Sequence, residues 1–402
     1  MGEEMKRILI FTHAMEIGGA ERALLGLLES LDYTKCSVDL FLMRHSGELM
    51  QYIPNEVNIL NEIPQYASLA VPIGNVLKKK HFSVAIGRTM GKIAAYLKKR
   101  RLNYTEDSDI QLEYSHKYTG WAMPLISKEE YDLAVSFLTP HYFVRDKVKA
   151  RKKVAWIHTD YSQIKIDVKS ELAMWEKYDK IVSISKDVTR SFLHIFPTLK
   201  DKVVEIQNIM PIKSINKQVN EAEYEKEMFD DGSIKLLSIG RFCKAKNFDN
   251  VPIICKLIRD AGLNVKWYLI GFGGDEELIR QKIHDVSMEE FVIILGKKDN
   301  PYPYIKNCDI YIQPSRFEGN AVTVHEAQLL KKPVVITNYE TAKSQLKDGI
   351  DGIIVPMNNE KCAQGIVELL KDHIKIQRLS KICEGNDYSN KIEIEKFMEL
   401  LD

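Results

Sequence analysis

Two halves of this chain repeat one pattern: a short apolar run, a glycine-bearing loop, and then a helical periodicity. In the first half Ile8-Leu9-Ile10-Phe11 leads through the loop His13 to Gly19 into a helical pattern from Glu21 to Leu31. In the second half Ile234–Ile239 ends at Gly240, Val265–Ile270 ends at Gly271, and Phe291–Leu295 ends at Gly296. Ile310-Tyr311-Ile312 runs into Pro314–Asn320, and a helical pattern begins at about Thr323. Further runs at Ser37–Leu42, Val57–Leu60, Leu133–Phe137, Lys153–Ile157, Lys180–Ser185, Val203–Ile209, Pro333–Thr337 and Gly352–Pro356 complete the alternation. Short runs that are apolar throughout fit strands covered on both faces. Strands alternating with helices predict parallel sheets with helices on either side. The chain is therefore read as α/β, with two Rossmann-like, doubly wound parallel-sheet domains, which its 402 residues can supply with separate cores.

Open parallel sheets bind ligands beyond the carboxyl ends of their strands, so those loops hold the candidate site residues. Glu318 sits in the loop after Ile310–Ile312, and Gly319-Asn320-Ala321 leads into the helix that contains Glu326. A helix start offers unpaired N–H groups and partial positive charge, which suit an anion or a polyhydroxyl ligand. Two glutamates this close to a helix start also fit a capped helix with a solvated acid. Arg241 and Lys246 follow Gly240 and are placed to converge on an anion at the next helix start, as bidentate guanidinium and point-charge ammonium. A solvated surface pair is the plainer reading. Gly18 and Gly19 form either a plain tight turn or a close backbone approach to a ligand, and they lack the spaced glycines of a dinucleotide fingerprint. His158 begins a polar cluster, His158-Thr159-Asp160, just past a strand. Ser185 stands where it can cap the helix from Lys186 to Phe196.

Glu318 and Glu326, separated by seven residues and preceded by Pro314-Ser315-Arg316-Phe317, resemble the paired-glutamate signature of family 4 glycosyltransferases. That resemblance implies the GT-B fold, two Rossmann-like domains facing across a cleft, and retaining transfer from a nucleotide-diphospho-sugar. It implies that Glu318 contacts the donor sugar, Glu326 the ribose, and the amides of Gly319, Asn320 and Ala321 the sugar and diphosphate. Asn320 and Ala321 stand where an aromatic and a small residue are usual, a departure that touches the sugar pocket rather than the scaffold. Gly240-Arg241 through Lys246-Asn247 is similar to the family's glycine-arginine and lysine-glycine string, with Asn247 in place of the glycine. Gly18-Gly19-Ala20-Glu21-Arg22 resembles the family's N-terminal glycine loop, which faces the donor phosphates. His158 matches a position that contacts the donor sugar, and the loop after Gly296 one that touches the base.

The implied organisation is an acceptor-side domain over 1–210, a linker over 211–233 and a donor domain over 234–386. A terminal helix over 387–402, read from Asn390 to Leu401, would cross back to the first domain. The implied partners are a UDP- or GDP-sugar and a glycan or lipid-linked acceptor, as in surface polysaccharide or glycoconjugate synthesis. An epimerase or phosphorylase on the same scaffold, or a non-catalytic partner protein, are the alternatives. No cofactor or metal is expected. Asp107-Ser108-Asp109 imitates the aspartate pair of the other glycosyltransferase fold but follows no strand, and His325-Glu326 lacks the second histidine of a zincin helix.

A net charge of +1 gives no global signal for nucleic acid, and none is expected as a partner. None of the six cysteines forms a Cys-x-x-Cys pair, which suits buried reduced thiols in the cytoplasm. The apolar run after Met1–Arg7 is too short for a signal peptide. Residues 78–101 contain Lys78, Lys79, Lys80, Arg88, Lys92, Lys98, Lys99, Arg100 and Arg101 and no acid. Phe82, Ile86, Met90, Ile93 and Leu97 recur among them at helical spacing. Gly87 and Gly91 weaken that helix by about 1 kcal/mol each relative to alanine. The stripe either packs on the domain core or docks on an anionic membrane, so the expected location is the cytoplasm or the inner face of the membrane.

Overall fold

The structure is a computed structural model that describes residues 5–104, 109–220, 227–228 and 230–401. Asp107 and Ser108 of the aspartate pair lie outside the described residues. The chain divides into two compact units, one built from residues up to Ile209 together with those from Lys391 onward, the other from Met210 to Asn390.

The first unit holds a seven-stranded sheet in the order β3-β2-β1-β4-β5-β6-β7. Its strands are β1 (Lys6–Thr12), β2 (Cys36–Leu42), β3 (Asn58–Ile59), β4 (Glu130–Ser136), β5 (Lys149–Ile157), β6 (Lys180–Ser183) and β7 (Val203–Glu205). Every pairing is parallel. Ile8 through Phe11 are fully buried, as a strand covered on both faces requires. The apolar run Val57–Leu60 yields only two paired residues, because β3 is an edge strand whose register with β2 covers Asp39 and Leu40 alone. Ser185 caps its helix as expected, its hydroxyl accepting from the Val188 amide at 3.2 Å.

The second unit holds six parallel strands in the order β10-β9-β8-β11-β12-β13. These are β8 (Ile234–Ile239), β9 (Val265–Ile270), β10 (Val292–Gly296), β11 (Ile310–Gln313), β12 (Val334–Thr337) and β13 (Ile353–Val355). In both sheets the strand order runs one way from a central strand and then reverses. The reversals fall between β1 and β4 and between β8 and β11. Each leaves a crevice at the carboxyl edge of its sheet.

Two boundary readings change. The described residues of 211–233 belong to the second unit: helix Ile212–Gln218 places Ile215 in the same core cluster as Met228. The terminal helix starts at Glu393, because Asn390 takes a left-handed φ of 54° that a continuing helix cannot use. Phe397 from this segment is buried in the first unit, 6.2 Å from the Trp156 ring, and Glu393 accepts from the Gln207 amide at 3.0 Å.

Between β3 and β4 stand helices Phe82–Arg101 and Ile110–Thr119, packed against each other. A Cβ on Gly87 would lie 2.7 Å from the Tyr118 carbonyl, and one on Gly91 2.7 Å from that of Tyr114. The two glycines that weaken the isolated helix are what let the neighbouring backbone approach. Gly91→Val is expected to lower stability by about 1–3 kcal/mol, since it forces the helices apart. A urea midpoint equal to the parent's would contradict that packing role.

Candidate functional site

In the second unit the loops after β8 and β11 flank the strand reversal. They are tied to each other at several points. Asn247 donates from its amide nitrogen to the Pro314 carbonyl at 2.8 Å, and the Arg316 amide donates to the Ala245 carbonyl at 2.7 Å. The Arg316 guanidinium grips Asp249 bidentately at 2.8 and 2.7 Å. Asn247 has φ 62° and ψ 22°, the left-handed region. Asparagine adopts this conformation several-fold more readily than most side chains. Asn247 thus keeps a backbone turn that glycine would also allow and adds a buried cross-link.

Lys246 and Glu318 meet across these loops at 2.6 Å. The pair is partly buried, with the lysine side chain 22% and the glutamate 10% exposed. The Lys246 stem lies over Gly240, where a Cβ would come within 3.3 Å of it. A chain of buried polar groups supports Glu318 from below. Ser315 donates its hydroxyl to Glu318 Oε1 at 2.6 Å, and Gln313 donates to Ser315 at 2.8 Å. Tyr311 and Thr323 in turn donate to Gln313 Oε1 at 2.6 and 3.2 Å. Thr341 holds the Glu318 carbonyl at 2.9 Å. The carboxylate is therefore fixed in direction before any ligand arrives.

The other expected residues are placed as follows. Arg241 is exposed, and its guanidinium makes no ion pair among the described residues. It does not join the Lys246–Glu318 contact. Gly271 has φ 153° and lies against the Gly240 carbonyl, so no side chain fits there, and its amide donates to the Gly296 carbonyl at 2.9 Å. Gly296 itself has φ 73°. Gly319 and Asn320 are half-buried, and Asn320 bonds His325 at 3.1 Å. The Ala321 amide donates to the Gln345 side chain at 3.2 Å, so that donor is already engaged, and the helix starts at Val322. Glu326 is fully buried rather than facing a crevice, and it accepts from the Tyr302 hydroxyl at 2.9 Å.

Sequence reasoning missed Gln313, Ser315, Arg316, Asp249, Thr341 and Gln345 as supporting residues. The one available signal was a glutamine and a serine closing an apolar run, which buried strands admit only with partners.

In the first unit, Gly18 precedes helix Gly19–Ser30, and the Glu21 carboxylate fills the space a Cβ on Gly18 would take. His158 follows β5 and borders a cavity of about 150 Å³ that also touches His116, His141, Glu113 and Glu171. Burial holds His116 and His141 down to about 3 and His158 to about 4, because desolvation disfavours imidazolium. Burial raises the Glu171 carboxyl to about 7 and raises Glu113 as well. Tyr142 donates to Glu113 at 2.7 Å and Tyr161 to Glu171 at 2.9 Å. Near neutral pH the cavity's histidines are thus uncharged, and burial disfavours the charged form of its two glutamates, a lining suited to hydroxyls.

The histidines and the glutamates act oppositely on stability. An unfolded histidine titrates near 6.5, above these folded values, so the histidine contribution is lost as pH falls below about 6.5. The glutamates have folded values above their unfolded ones, so their contribution is lost as pH rises, for Glu171 through about 7. The histidines are expected to stay neutral at about pH 5.5 in the folded protein. Nuclear magnetic resonance of the histidine ring carbons checks this, and titration of all three near 6.5 would contradict their burial.

Residues 219–384 match the family model described as Glycosyl transferases group 1. The chain is 25% identical over 201 residues to the N-acetylgalactosamine-N,N'-diacetylbacillosaminyl-diphospho-undecaprenol 4-alpha-N-acetylgalactosaminyltransferase of Campylobacter jejuni, covering 50% of this chain and 53% of that protein. It is 31% identical over 169 residues to the poly(glycerol-phosphate) alpha-glucosyltransferase of Bacillus subtilis, covering 40% of this chain and 24% of that protein. The chain thus spans about half or less of the length of these relatives. Among solved structures, Anabaena HepE in complex with UDP and glucose superposes with a TM-score of 0.68 at 15% identity over 98% of each chain. Staphylococcus aureus TarM, solved with UDP, gives a TM-score of 0.68 at 14% identity, over 99% of this chain and 100% of that one. Residues 219–384 therefore carry a glycosyl transferases group 1 domain, and the chain has the two-sheet GT-B fold.

Proposed function

We propose that the chain is a family 4 retaining glycosyltransferase. It would move a sugar from a UDP- or GDP-linked donor to a glycan or lipid-linked acceptor in surface polysaccharide or glycoconjugate synthesis. One observation carries this reading: the Lys246–Glu318 contact at 2.6 Å joins the loops at the strand reversal, inside the group 1 domain. A lysine held by a carboxylate at a helix start is a cation that an incoming diphosphate can share. Arg241, exposed one residue past Gly240, supplies a second donor with no competing partner among the described residues.

In this reading Arg241, Lys246 and the helix that starts at Val322 stabilise the charge that develops on the departing diphosphate. Glu318 orients the sugar, and its supporting chain through Ser315 and Gln313 fixes where it points. Glu326 keeps its assignment to the ribose, which it would reach by giving up its buried contact with Tyr302. Gly240, Gly271 and Gly296 give the nucleotide close access to backbone. His158 and the Gly18-Gly19 loop keep their assignments to the donor sugar and phosphates. HepE and TarM, both solved with UDP, support a uridine donor first.

Thermal-shift and calorimetric titration with UDP-, GDP- and ADP-sugars is the test, since ligands that prefer the folded state raise its melting temperature. Arg241→Ala and Lys246→Ala are each expected to weaken donor binding by about 1.5–3 kcal/mol, the range for hydrogen bonds to charged groups. Arg241 makes no ion pair among the described residues, so its variant should melt with the parent. Glu318→Gln should lower transfer more than nucleotide binding, and Glu326→Gln the reverse. Product of inverted anomeric configuration, or full activity in both charge variants, would contradict the reading. Turnover is expected to survive EDTA, because the phosphate charge is met by basic side chains and a helix terminus.

A further inference from the structure

Helix Phe82–Arg101 turns its small side inward and its large apolar side outward. Its buried residues are Val84, Ala85, Gly87, Gly91 and Ala95. Phe82, Ile86, Met90, Ile93 and Leu97 are 47–59% exposed. The glycine contacts with helix Ile110–Thr119 fix this orientation, since only the glycine face permits backbone approach. The alternative that the stripe packs on the core is thereby removed. The stripe runs about 22 Å along one helix, at 1.5 Å per residue. Contiguous exposed apolar surface of this kind marks an interaction face.

The charges around it select the partner. Arg88 is turned inward, bonding the Ser68 carbonyl at 3.0 Å and the Val71 carbonyl. Lys98 is paired with Asp167 at 2.8 Å. The other seven basic residues, Lys78–Lys80, Lys92 and Lys99–Arg101, make no ion pair among the described residues. Lys92, Tyr96, Lys99, Arg100, Tyr104 and Gln111 line an open groove beside the stripe. Three cations and two tyrosines there suit phosphate headgroups at an interface where aromatic rings also settle. A second copy of this chain would bring the same positive charge and be repelled.

We propose that this helix docks on an anionic lipid bilayer, with the Phe82–Leu97 stripe at the acyl boundary and the seven cations on lipid phosphates. The reading does not depend on the donor assignment, because the helix lies in the other unit.

The test is co-sedimentation of the full chain with vesicles of phosphatidylcholine alone and of phosphatidylcholine with phosphatidylglycerol, at low and high salt. One variant replaces Phe82, Ile86, Ile93 and Leu97 by Ser. A second replaces the seven outward cations by Gln and keeps Arg88 and Lys98. All the side chains changed are exposed except the half-buried Lys99, and far-ultraviolet circular dichroism checks that both variants fold. The parent is expected to pellet with the anionic vesicles only, less at high salt. Each variant should bind at least about tenfold more weakly, since each nearby Lys or Arg adds appreciably to attraction. Equal pelleting of parent and either variant, or pelleting with neutral vesicles alike, overturns the proposal. So does no vesicle binding combined with a stripe-dependent dimer in light scattering, which would assign the face to a second copy.

Discussion

A parallel sheet that grows outward in both directions from a central strand must send its connecting loops to opposite faces at the point of reversal. The two loops at that point separate and leave a crevice. In the second unit the crevice falls between β8 and β11, so Gly240–Lys246 and Pro314–Ala321 become neighbours although some seventy residues part them. The Lys246–Glu318 contact, the Asn247–Pro314 bond and the Arg316–Asp249 fork all follow from this one feature. They make the site a cross-braced pair of loops rather than two flexible ones. A part-buried ion pair adds little net stability, since desolvation offsets much of the attraction. Its role here is to hold a cation and a carboxylate in fixed directions.

The strands were legible because burial on both faces demands unbroken apolar runs, and Ile8–Phe11 and Ile310–Ile312 have no other explanation. Glu318 was legible through its spacing from Glu326 and the loop that carries it. What holds Glu318 was not, because Gln313, Ser315 and Thr341 act through contacts that only the folded sheet creates. Asn247 looked like a departure from the family string. Its left-handed backbone shows a substitution that preserves the turn by other means. Glu326 was expected at an open crevice, yet it is buried against Tyr302, since helix position alone does not say which side a neighbouring helix covers.

The basic segment is the clearest case of local pattern and tertiary context in conflict. Periodicity found the stripe but could not say which way it faces. Gly87 and Gly91 read as helix weakeners, and their packing role appears only when the facing backbone is known. Small residues on one face let the helix sit close, and that closeness turns the large residues to solvent. A hydrophobic stripe normally points to the core; here the tighter contact available to glycine decides otherwise.

The central claim is that the braced loops of the second unit hold a nucleotide diphosphate. Hydrogen exchange read by mass spectrometry, with and without UDP, tests it most directly. Slowed exchange concentrated in peptides spanning 240–247 and 314–326 is the predicted result. Binding of UDP with protection elsewhere and none in those two loops would contradict it.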